Sequence, residues 1–408
     1  MGRIEGLRNQ GESEMRLSRN HCLMGLLLLS GLWETSILGQ MTLADPIPIW
    51  VNDSILDVEH EGDASPAVID IDGDGIRDLV VGESYQGQLR IYRNLDSNES
   101  PRFQSFGIFK NGESEGRLRS EWSFRPSVVD LDGDGLQDII TPAWFGRIFF
   151  FRQTSPGVFA KGVPLRNVEG KVIWTEEIFG ATTCDWDNDG FTDVVCSISD
   201  FIGKSNLWLL RNSGVQTEPR FENPVAIKLG HSNLSATAPV AVDWNRDGLF
   251  DFIVGTREGA VLLYLNSGQL GKPMLTEGSK LIDEPEVGSQ RGRNARPCVL
   301  DWNGDGRLDI LVGDGGLEFE KKLEPEELSV KEETKRLLST SFSRWAVTYK
   351  LFHRLKQVAP PARNEEAIQA IRQEMTELTA ERDRQRLFYQ SMSEGKQNHG
   401  RVWLFLGE

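Results

Sequence analysis

The sequence predicts an all-β protein, a five-bladed β-propeller of four-stranded blades in which an N-terminal strand closes the last blade and an α-helical hairpin is inserted. Three observations lead to this prediction. An aspartate-rich motif recurs five times, strand-like segments follow the copies in a constant order, and the last repeat ends one strand short of a full set. The copies start 55–60 residues apart, and a four-stranded repeat of that length is typical of a propeller blade.

The recurrent motif begins as DIDGDGIRD at 70–78, and further copies start at 130, 185, 243 and 301. A short β-rich run such as LVVG follows each copy, and an alternating segment such as GQLRIYRN (87–94) comes next. A fourth strand-like segment, for example PRFQSFGIF (101–109), completes the unit. Period-two alternation indicates strands, so each repeat predicts strands A to D with the acidic motif between A and B.

The two ends of the repeat array predict how the ring closes. The fifth unit ends after strand C, GRVWLFLG at 400–407, and the strand-like segment IPIWVNDSILDVE at 47–59 precedes the first unit. If this segment supplies the missing strand, no sheet edge stays open. We therefore expect blades 1–5 within 45–316, with the final strand of blade 5 at 400–408.

The segment 317–399 interrupts the fifth unit and is rich in Glu, Arg, Gln and Leu. Apolar residues of its second half recur at helical spacing on one face, namely Ile368, Ile371, Met375 and Leu378. Pro360 and Pro361 divide the segment, which predicts a hairpin of helices near 328–357 and 364–392. Its role is open between a structural arm and a docking element for a partner.

An export signal is predicted at the N-terminus. Arg16 and Arg19 precede an apolar run at 22–33, which has the length of a signal-peptide core and is too short to span a bilayer. We expect residues 1–44 to be a signal peptide with an N-terminal extension, and the mature chain to be secreted, periplasmic or extracellular. The alternative is a buried apolar helix.

The net charge of −16 and the pI near 5.0 argue against a nucleic-acid partner, which requires a basic face. No later segment is long and apolar enough to span a membrane.

Three cysteines follow the signal, and each takes an apolar strand position of its repeat. We therefore expect unpaired core thiols at Cys184, Cys196 and Cys298.

The aspartate motif has the pattern of a site for a hard cation. Carboxylates dominate loop positions 1, 3, 5 and 9, and glycine at position 6 allows a sharp turn. Alternate side chains can converge on one point, and the carbonyl at position 7 can add a neutral oxygen. Such ligands favour Ca²⁺ at about five sites, and the cation would offset the repulsion between carboxylates. The predicted ligands are Asp70, Asp72, Asp74, Ile76, Asp78; Asp130, Asp132, Asp134, Leu136, Asp138; Asp185, Asp187, Asp189, Phe191, Asp193; Asp243, Asn245, Asp247, Leu249, Asp251; and Asp301, Asn303, Asp305, Arg307, Asp309.

Two other interpretations of the loops were weighed. An EF-hand needs a bidentate Glu at position 12 and flanking helices, whereas these loops lie between strands. Their position 12 is occupied by Val81, Thr141, Cys196, Val254 and Val312. A plain Asp/Gly turn without metal would explain one loop, but five copies in register make it the weaker interpretation.

These DxDGDGxxD loops, on blades with strands of the type GxVxLYxN, resemble FG-GAP/VCBS repeats, which form β-propellers related to the head of integrin α-subunits. The resemblance covers nearly all of 47–316 and 400–408. It implies that positions 1, 3, 5 and 9 ligate Ca²⁺ by side chain and position 7 by its carbonyl. Asn245 and Asn303 replace aspartate at position 3, so those two sites hold three carboxylates and are expected to bind more weakly. Integrins have seven repeats and an inserted adhesion domain, so integrin ligand binding does not carry over.

No catalytic constellation stands out in the sequence, because it contains no nucleophile-elbow, Walker or zinc pattern. The first hypothesis is a non-enzymatic module that binds a protein or glycan partner on the face opposite the calcium loops. The alternative is a polysaccharide-acting enzyme, a lyase or hydrolase, with its site in the central depression. Candidate lining residues for a sugar site are Trp122, Trp144, Arg291, Arg293 and Arg296.

Overall fold

The structure is a computed structural model of the chain. It describes residues 42–58, 63–83, 87–111, 114–115, 124–143, 146–175, 177–199, 205–215, 217–229, 235–286, 289–317, 364–391 and 398–408. Between 329 and 352 it also describes 329–330, 333–334, 336–337, 340–341, 344, 347–348 and 351–352. The predicted export signal, at 22–33, lies outside these residues.

Strands make up most of the described chain. In chain order they are β1 (Ile47–Pro48), β2 (Trp50–Val51), β3 (Ser54–Ile55), β4 (Ser65–Ile69), β5 (Asp78–Gly82), β6 (Leu89–Asn94), β7 (Phe103–Ile108), β8 (Lys110–Asn111), β9 (Ser114–Glu115), β10 (Ser127–Val129), β11 (Asp138–Ala143), β12 (Arg147–Phe151), β13 (Gln153–Ser155), β14 (Val158–Phe159), β15 (Val163–Pro164), β16 (Glu177–Cys184), β17 (Asp193–Ser199), β18 (Ser205–Leu210), β19 (Val225–Ile227), β20 (Ala236–Val242), β21 (Asp251–Thr256), β22 (Val261–Tyr264), β23 (Ser279–Ile282), β24 (Arg293–Leu300), β25 (Asp309–Leu317), β26 (Asn398–His399) and β27 (Val402–Phe405).

Five antiparallel sheets form the blades, and in each the strands A to D follow one another from the axis outwards. They are β4–β7 in blade 1, β10–β12 and β15 in blade 2, β16–β19 in blade 3, β20–β23 in blade 4, and β24, β25, β27 and β1 in blade 5. Every inner strand A packs against the neighbouring blades, and β4 contacts both β10 and β24. The ring is therefore closed, and the predicted five-bladed propeller is confirmed.

The hydrophobic core is divided among the five interfaces between blades. Each of its five clusters takes apolar residues from two neighbouring blades. The second strands β5, β11 and β21 are buried along their whole length because both of their faces are covered. Their continuous apolar sequences, such as LVV in β5, follow from this burial. Cys184 in β16 and Cys196 in β17 are buried, Cys298 in β24 is half-buried, and all three are free thiols.

The N-terminal segment closes the ring as predicted. In β1, Ile47 pairs with Leu404 and Pro48 with Trp403, which makes β1 the fourth strand of blade 5. The next strand, β2, joins the outer edge of blade 1 by pairing with β7. The same junction is bridged by Arg77, whose guanidinium donates to the carbonyls of residues 301 and 302 at 2.8 and 3.0 Å.

Neighbouring blades approach one another most closely at the end of strand B. A Cβ added to Gly82, Gly255 or Gly313 would lie 1.9, 2.0 or 2.1 Å from a backbone carbonyl oxygen of the next blade. Only glycine permits this approach, which explains why three of the five repeats have glycine as the fifth residue of strand B.

The insertion forms a helical hairpin. All described positions between 329 and 352 are helical, and α1 (Glu365–Ser391) follows. The two helices are antiparallel, because Ser341 Oγ donates to Gln385 Oε1 at 2.8 Å while the Arg372 guanidinium lies 5.7 Å from the Phe352 ring centre. Asn364 caps α1 by accepting the Ala367 amide at 2.9 Å. In the described part of the chain, no helix is long and apolar enough to cross a membrane.

Candidate metal centres

The five acidic loops occupy the same place in every blade, between strands A and B. Because strands alternate in direction, the A–B and C–D turns share one face of the propeller, which we call the loop face. The B–C and D–A turns lie on the opposite face. The insertion connects β25 to β27, a B–C connection, so it leaves the propeller from the opposite face.

The aspartate at position 1 organises each loop by accepting backbone amides. Asp70 accepts the amides of Gly73, Asp74 and Gly75 at 2.8, 3.1 and 2.9 Å. The amide of the position-6 glycine makes the same bond in all five loops, at 2.9–3.0 Å. These glycines have φ values of 83–90°, a conformation that explains the residue type at this position.

The aspartate at position 9 is buried at the start of strand B in each blade. Asp138 accepts the amides of Leu131 at 3.0 Å and of Gln153 at 2.8 Å, which ties the loop to the end of strand C. Burial raises the pKa of Asp78 to about 6 and those of Asp138 and Asp193 to about 7. Burial disfavours the ionised form of these carboxyl groups, so a nearby positive charge would stabilise that form.

The aspartate at position 3 of the first three loops pairs with an arginine through one carboxylate oxygen. Its other oxygen has no hydrogen-bond partner. Asp72 pairs with Arg93 and Asp132 with Arg152, while Arg211 Nε lies 3.1 Å from Asp187 Oδ2. In all three aspartates Oδ1 is buried and makes no hydrogen bond. Sequence reasoning missed these arginines.

Loops four and five use an amide at position 3. Asn245 Nδ2 donates to Asp247 Oδ2 at 2.9 Å, and Asn303 Nδ2 donates to Asp305 Oδ2 at 3.3 Å. In blade 2 the equivalent donor to position 5 is an arginine, because Arg152 Nη2 lies 2.9 Å from Asp134 Oδ2. The position-5 carboxylate therefore receives a side-chain donor in blade 2 as well as in blades 4 and 5.

The first three loops fit a divalent cation. Within each, three carboxylate oxygens can lie within 4.8 Å of one another. The groups are Asp70, Asp72 and Asp74; Asp130, Asp132 and Asp138; and Asp185, Asp187 and Asp189. Asp78 Oδ2 is also buried without a partner, like the position-3 oxygens. Buried, unpaired carboxylate oxygens close together are the donor set of a hard cation.

Two of the three arginines predicted to line a sugar site have separate partners. Arg291 donates to the carbonyl of Gly259 at 2.7 Å, and buried Arg296 pairs with Asp63 at 3.1 Å. Arg293 is exposed in β24. The other two candidates, Trp122 and Trp144, lie outside the described residues.

The architecture and its loops define a class of protein: a β-propeller with an aspartate loop between the two inner strands of each blade. FG-GAP-like repeats match the sequence at residues 70–141, 130–196, 185–254 and 243–312. The chain therefore belongs to the FG-GAP-like repeat family.

Two solved structures are similar at low identity. A thermostable family-43 glycoside hydrolase matches with 11% identity and a TM-score of 0.42, over 65% of this chain and 94% of that chain. BBS1N, solved in complex with ARL6DN and soaked with lead, matches with 14% identity and a TM-score of 0.29, over 67% and 82%. At these TM-scores neither similarity bears on function. A comparison with curated protein sequences gave no significant match.

Proposed function

We propose that the protein is an exported, calcium-stabilised propeller that serves as a non-enzymatic binding module for a protein or glycan partner. The observation that carries the proposal is the separation of the two faces. Short, nearly identical acidic loops recur on the loop face of every blade, while the long insertion of blade 5 leaves from the opposite face. Variable loops on a rigid scaffold are where binding residues usually collect.

Calcium would be held by the side chains at positions 1, 3, 5 and 9 and by the carbonyl at position 7 of each loop. Its charge would offset the closely spaced carboxylates, which is a structural task. Two observations support calcium binding. Buried carboxylate oxygens of the loops have no hydrogen-bond partner, and the chain belongs to the FG-GAP-like repeat family, whose loops resemble calcium sites.

The face opposite the loops also offers groups that suit a glycan or a protein surface. The Phe179 ring centre lies 5.5 Å from the guanidinium of Arg257 and 5.4 Å from that of Arg125, which is buried and donates to the Phe179 carbonyl. A second stack places Arg147 4.9 Å from the Trp174 ring. Aromatic and arginine side chains are the residues that most often anchor partners.

The alternative, a polysaccharide-acting enzyme, would need an available acid–base pair on this face. Two carboxyl groups described there are buried, Glu83 and Asp314. Asp314 accepts the amides of Gly292 and Arg401 and the indole N–H of Trp403, and Glu83 pairs with Arg90 at 3.3 Å. These bonds favour a structural role for both groups, so the binding module remains our first proposal.

Deleting 320–397 and bridging the ends with a short Gly/Ser linker is expected to weaken partner binding while the propeller stays folded and responsive to calcium. The partner is first identified with the full chain by pull-down and by glycan array, and its affinity for both proteins is then measured. A control variant, Asp96→Asn, alters a residue after strand C on the loop face and is expected to bind normally. Normal binding by the deletion variant, together with normal binding after substitution of Arg291, Arg293 and Arg296, would contradict the face assignment.

A further inference from the structure

The residue that ends strand C differs between the two kinds of loop. In each blade this residue directly precedes the one whose amide donates to the position-9 aspartate, so the five positions are structurally equivalent. They hold Arg93, Arg152 and Arg211 in blades 1–3 and Leu265 and Leu406 in blades 4 and 5. Arginine occurs wherever loop position 3 is aspartate, and leucine wherever it is asparagine.

The contacts explain this pairing. In blades 1–3 the arginine pairs with Oδ2 of the position-3 aspartate, while Oδ1 is buried without a hydrogen-bond partner. In blades 4 and 5 the asparagine needs no arginine, because its Oδ1 accepts the amide of position 5 at 3.1 and 3.0 Å and its Nδ2 donates to the carboxylate of position 5. An apolar leucine therefore suffices at the end of strand C.

We infer that two residue pairs build equivalent cation sites. One pair is aspartate at loop position 3 with arginine near the end of strand C, and the other is asparagine with leucine at the same two positions. Four carboxylates with one guanidinium carry a net charge of −3, and three carboxylates alone carry the same charge. The arginines are positioning residues, because each orients one carboxylate through its second oxygen. The five sites should then differ less in affinity than a count of carboxylates predicts. This inference rests on the calcium part of the proposed function.

A double-mutant cycle in blade 1 tests the inference. Asp72→Asn alone removes the shortest carboxylate contact of Arg93 and leaves its positive charge beside Asp74 and Asp78. It is expected to weaken calcium binding there about tenfold or more, as loss of a ligand or its support commonly does. The pair D72N/R93L recreates the arrangement of blade 4 and is expected to recover most of that loss. The matched control is D72N/R90L, because Arg90 lies on the same strand but pairs with Glu83 at its other end. It should remain as weak as D72N.

Calcium binding is measured by titration calorimetry on the full chain, and melting without metal is measured in parallel. Without metal, R93L should lower the melting temperature, because Asp72 loses its ion pair, and D72N/R93L should restore it. If D72N/R93L is no better than D72N in either measurement, the inference is wrong. A wild-type chain that binds no calcium would overturn the proposed function instead, and the metal-free melting arm would still decide whether the two positions are coupled.

A second, independent observation concerns the first helix of the insertion. Its described positions 330, 333, 337, 340, 344, 347 and 351 follow the three- and four-residue spacing of a coiled-coil seam. Four of them are exposed large apolar residues: Val330 (47%), Leu337 (42%), Val347 (58%) and Leu351 (46%). The helix packs on α1 through the adjoining stripe, where Thr334, Ser341, Thr348 and Phe352 are buried. Val330 and Thr348 are about five helical turns apart and share one side of the helix, so the seam flanks the contact with α1.

The partner helix α1 provides an internal comparison. Its exposed positions are almost all polar, so a solvent-facing helix surface in this same hairpin carries charged and amide side chains. Examples are Glu366, Gln369, Arg372, Gln373 and Glu377. An exposed apolar seam beside such a surface indicates a contact that the described part of the chain does not supply.

The charges of the seam point to a second copy of the same helix. Exposed Glu333 and Arg344 lie in the seam on either side of its middle, and Glu333 also pairs with Arg336 of its own helix at 2.8 Å. An antiparallel pairing that sets Val330 opposite Val347 of a second copy also sets Glu333 opposite Arg344 of that copy, and two-fold symmetry repeats both pairs. Charged positions in such seams fix orientation more than affinity. We propose that this seam dimerises the protein in antiparallel fashion.

Sedimentation velocity of the full chain in calcium tests the dimer. The wild type should sediment as a dimer in the micromolar range, and Val347→Asp should shift it to monomer. The matched control Ala370→Asp adds the same group at an exposed position of α1 and should leave the dimer intact. Circular dichroism checks that each variant is folded.

The charge pair gives a test that leaves the apolar seam unchanged. E333R and R344E should each weaken the dimer, since like charges then face each other, and E333R/R344E should restore it. A wild type that is monomeric throughout, or a dimer that the single charge changes do not weaken, would overturn the proposal. The E333R variant also separates the two roles of the insertion, because it should lose the dimer and keep the binding of any other partner.

Discussion

Removal of calcium is expected to unfold the propeller, lowering its melting temperature by about 20 °C or more. A cation that binds only the folded state stabilises it by about 2.7 kcal/mol per site when its free concentration is a hundred times Kd. Several such sites together approach the roughly 5–15 kcal/mol that is the whole stability of a typical domain. The acidic loops also lie at every junction of strands A and B, so no blade is independent of them.

Thermal melting of the full chain in millimolar calcium and in excess EGTA measures this effect, with equal ionic strength maintained by magnesium. Asp138→Asn should lose part of the calcium response, because Asp138 is buried and belongs to a carboxylate cluster. The same change at Asp96, which lies outside the loops, should leave the response intact. Coincident melting curves with and without calcium would contradict a structural role for the cation.

The propeller could be predicted because its repeat carries two signals at once. The acidic motif marks the turn between strands A and B, and the alternating segment after it marks strand C. Five copies therefore determined blade number and strand order, and the strand missing at the end pointed to β1. The hairpin was predictable for a similar reason, since its apolar spacing and its two prolines differ sharply from the strands around it.

Short strands that lie outside the repeat, and contacts between individual side chains, were not predictable. The hairpin of β2 and β3, which adds two strands to the edge of blade 1, has two residues in each strand, too few for a period. The small sheet of β8, β9, β13 and β14 is equally short and joins segments that are distant in sequence. The contact of Arg93 with Asp72 depends on the register of strand C against the loop. Its only sequence signal is the exchange of arginine for leucine between repeats.

The second large effect is expected where the ring closes. Four buried side chains of the N-terminal segment, those of Ile49, Val51, Leu56 and Val58, belong to the cluster between blades 5 and 1. Burial of a large apolar side chain contributes about 1.5–3 kcal/mol, so together they contribute about 6–12 kcal/mol. Without residues 45–58 the outer edge of blade 5 would also be open. We expect a chain that lacks them to be unfolded or aggregated at 37 °C.

Adjacent residues of β2 give a matched pair of substitutions that tests whether the N-terminal segment holds the ring closed, without shortening the chain. Val51 is 6% exposed and Trp50 is 54% exposed, because neighbouring residues of a strand point to opposite faces. Val51→Asp places a carboxylate among apolar groups of both blades and should lower the melting temperature strongly, whereas Trp50→Asp should change it little. Denaturation of both variants in calcium measures the difference. If Val51→Asp melted with the wild type, the segment would not hold the ring closed, and the stability of the propeller would have to come from the other four interfaces between blades.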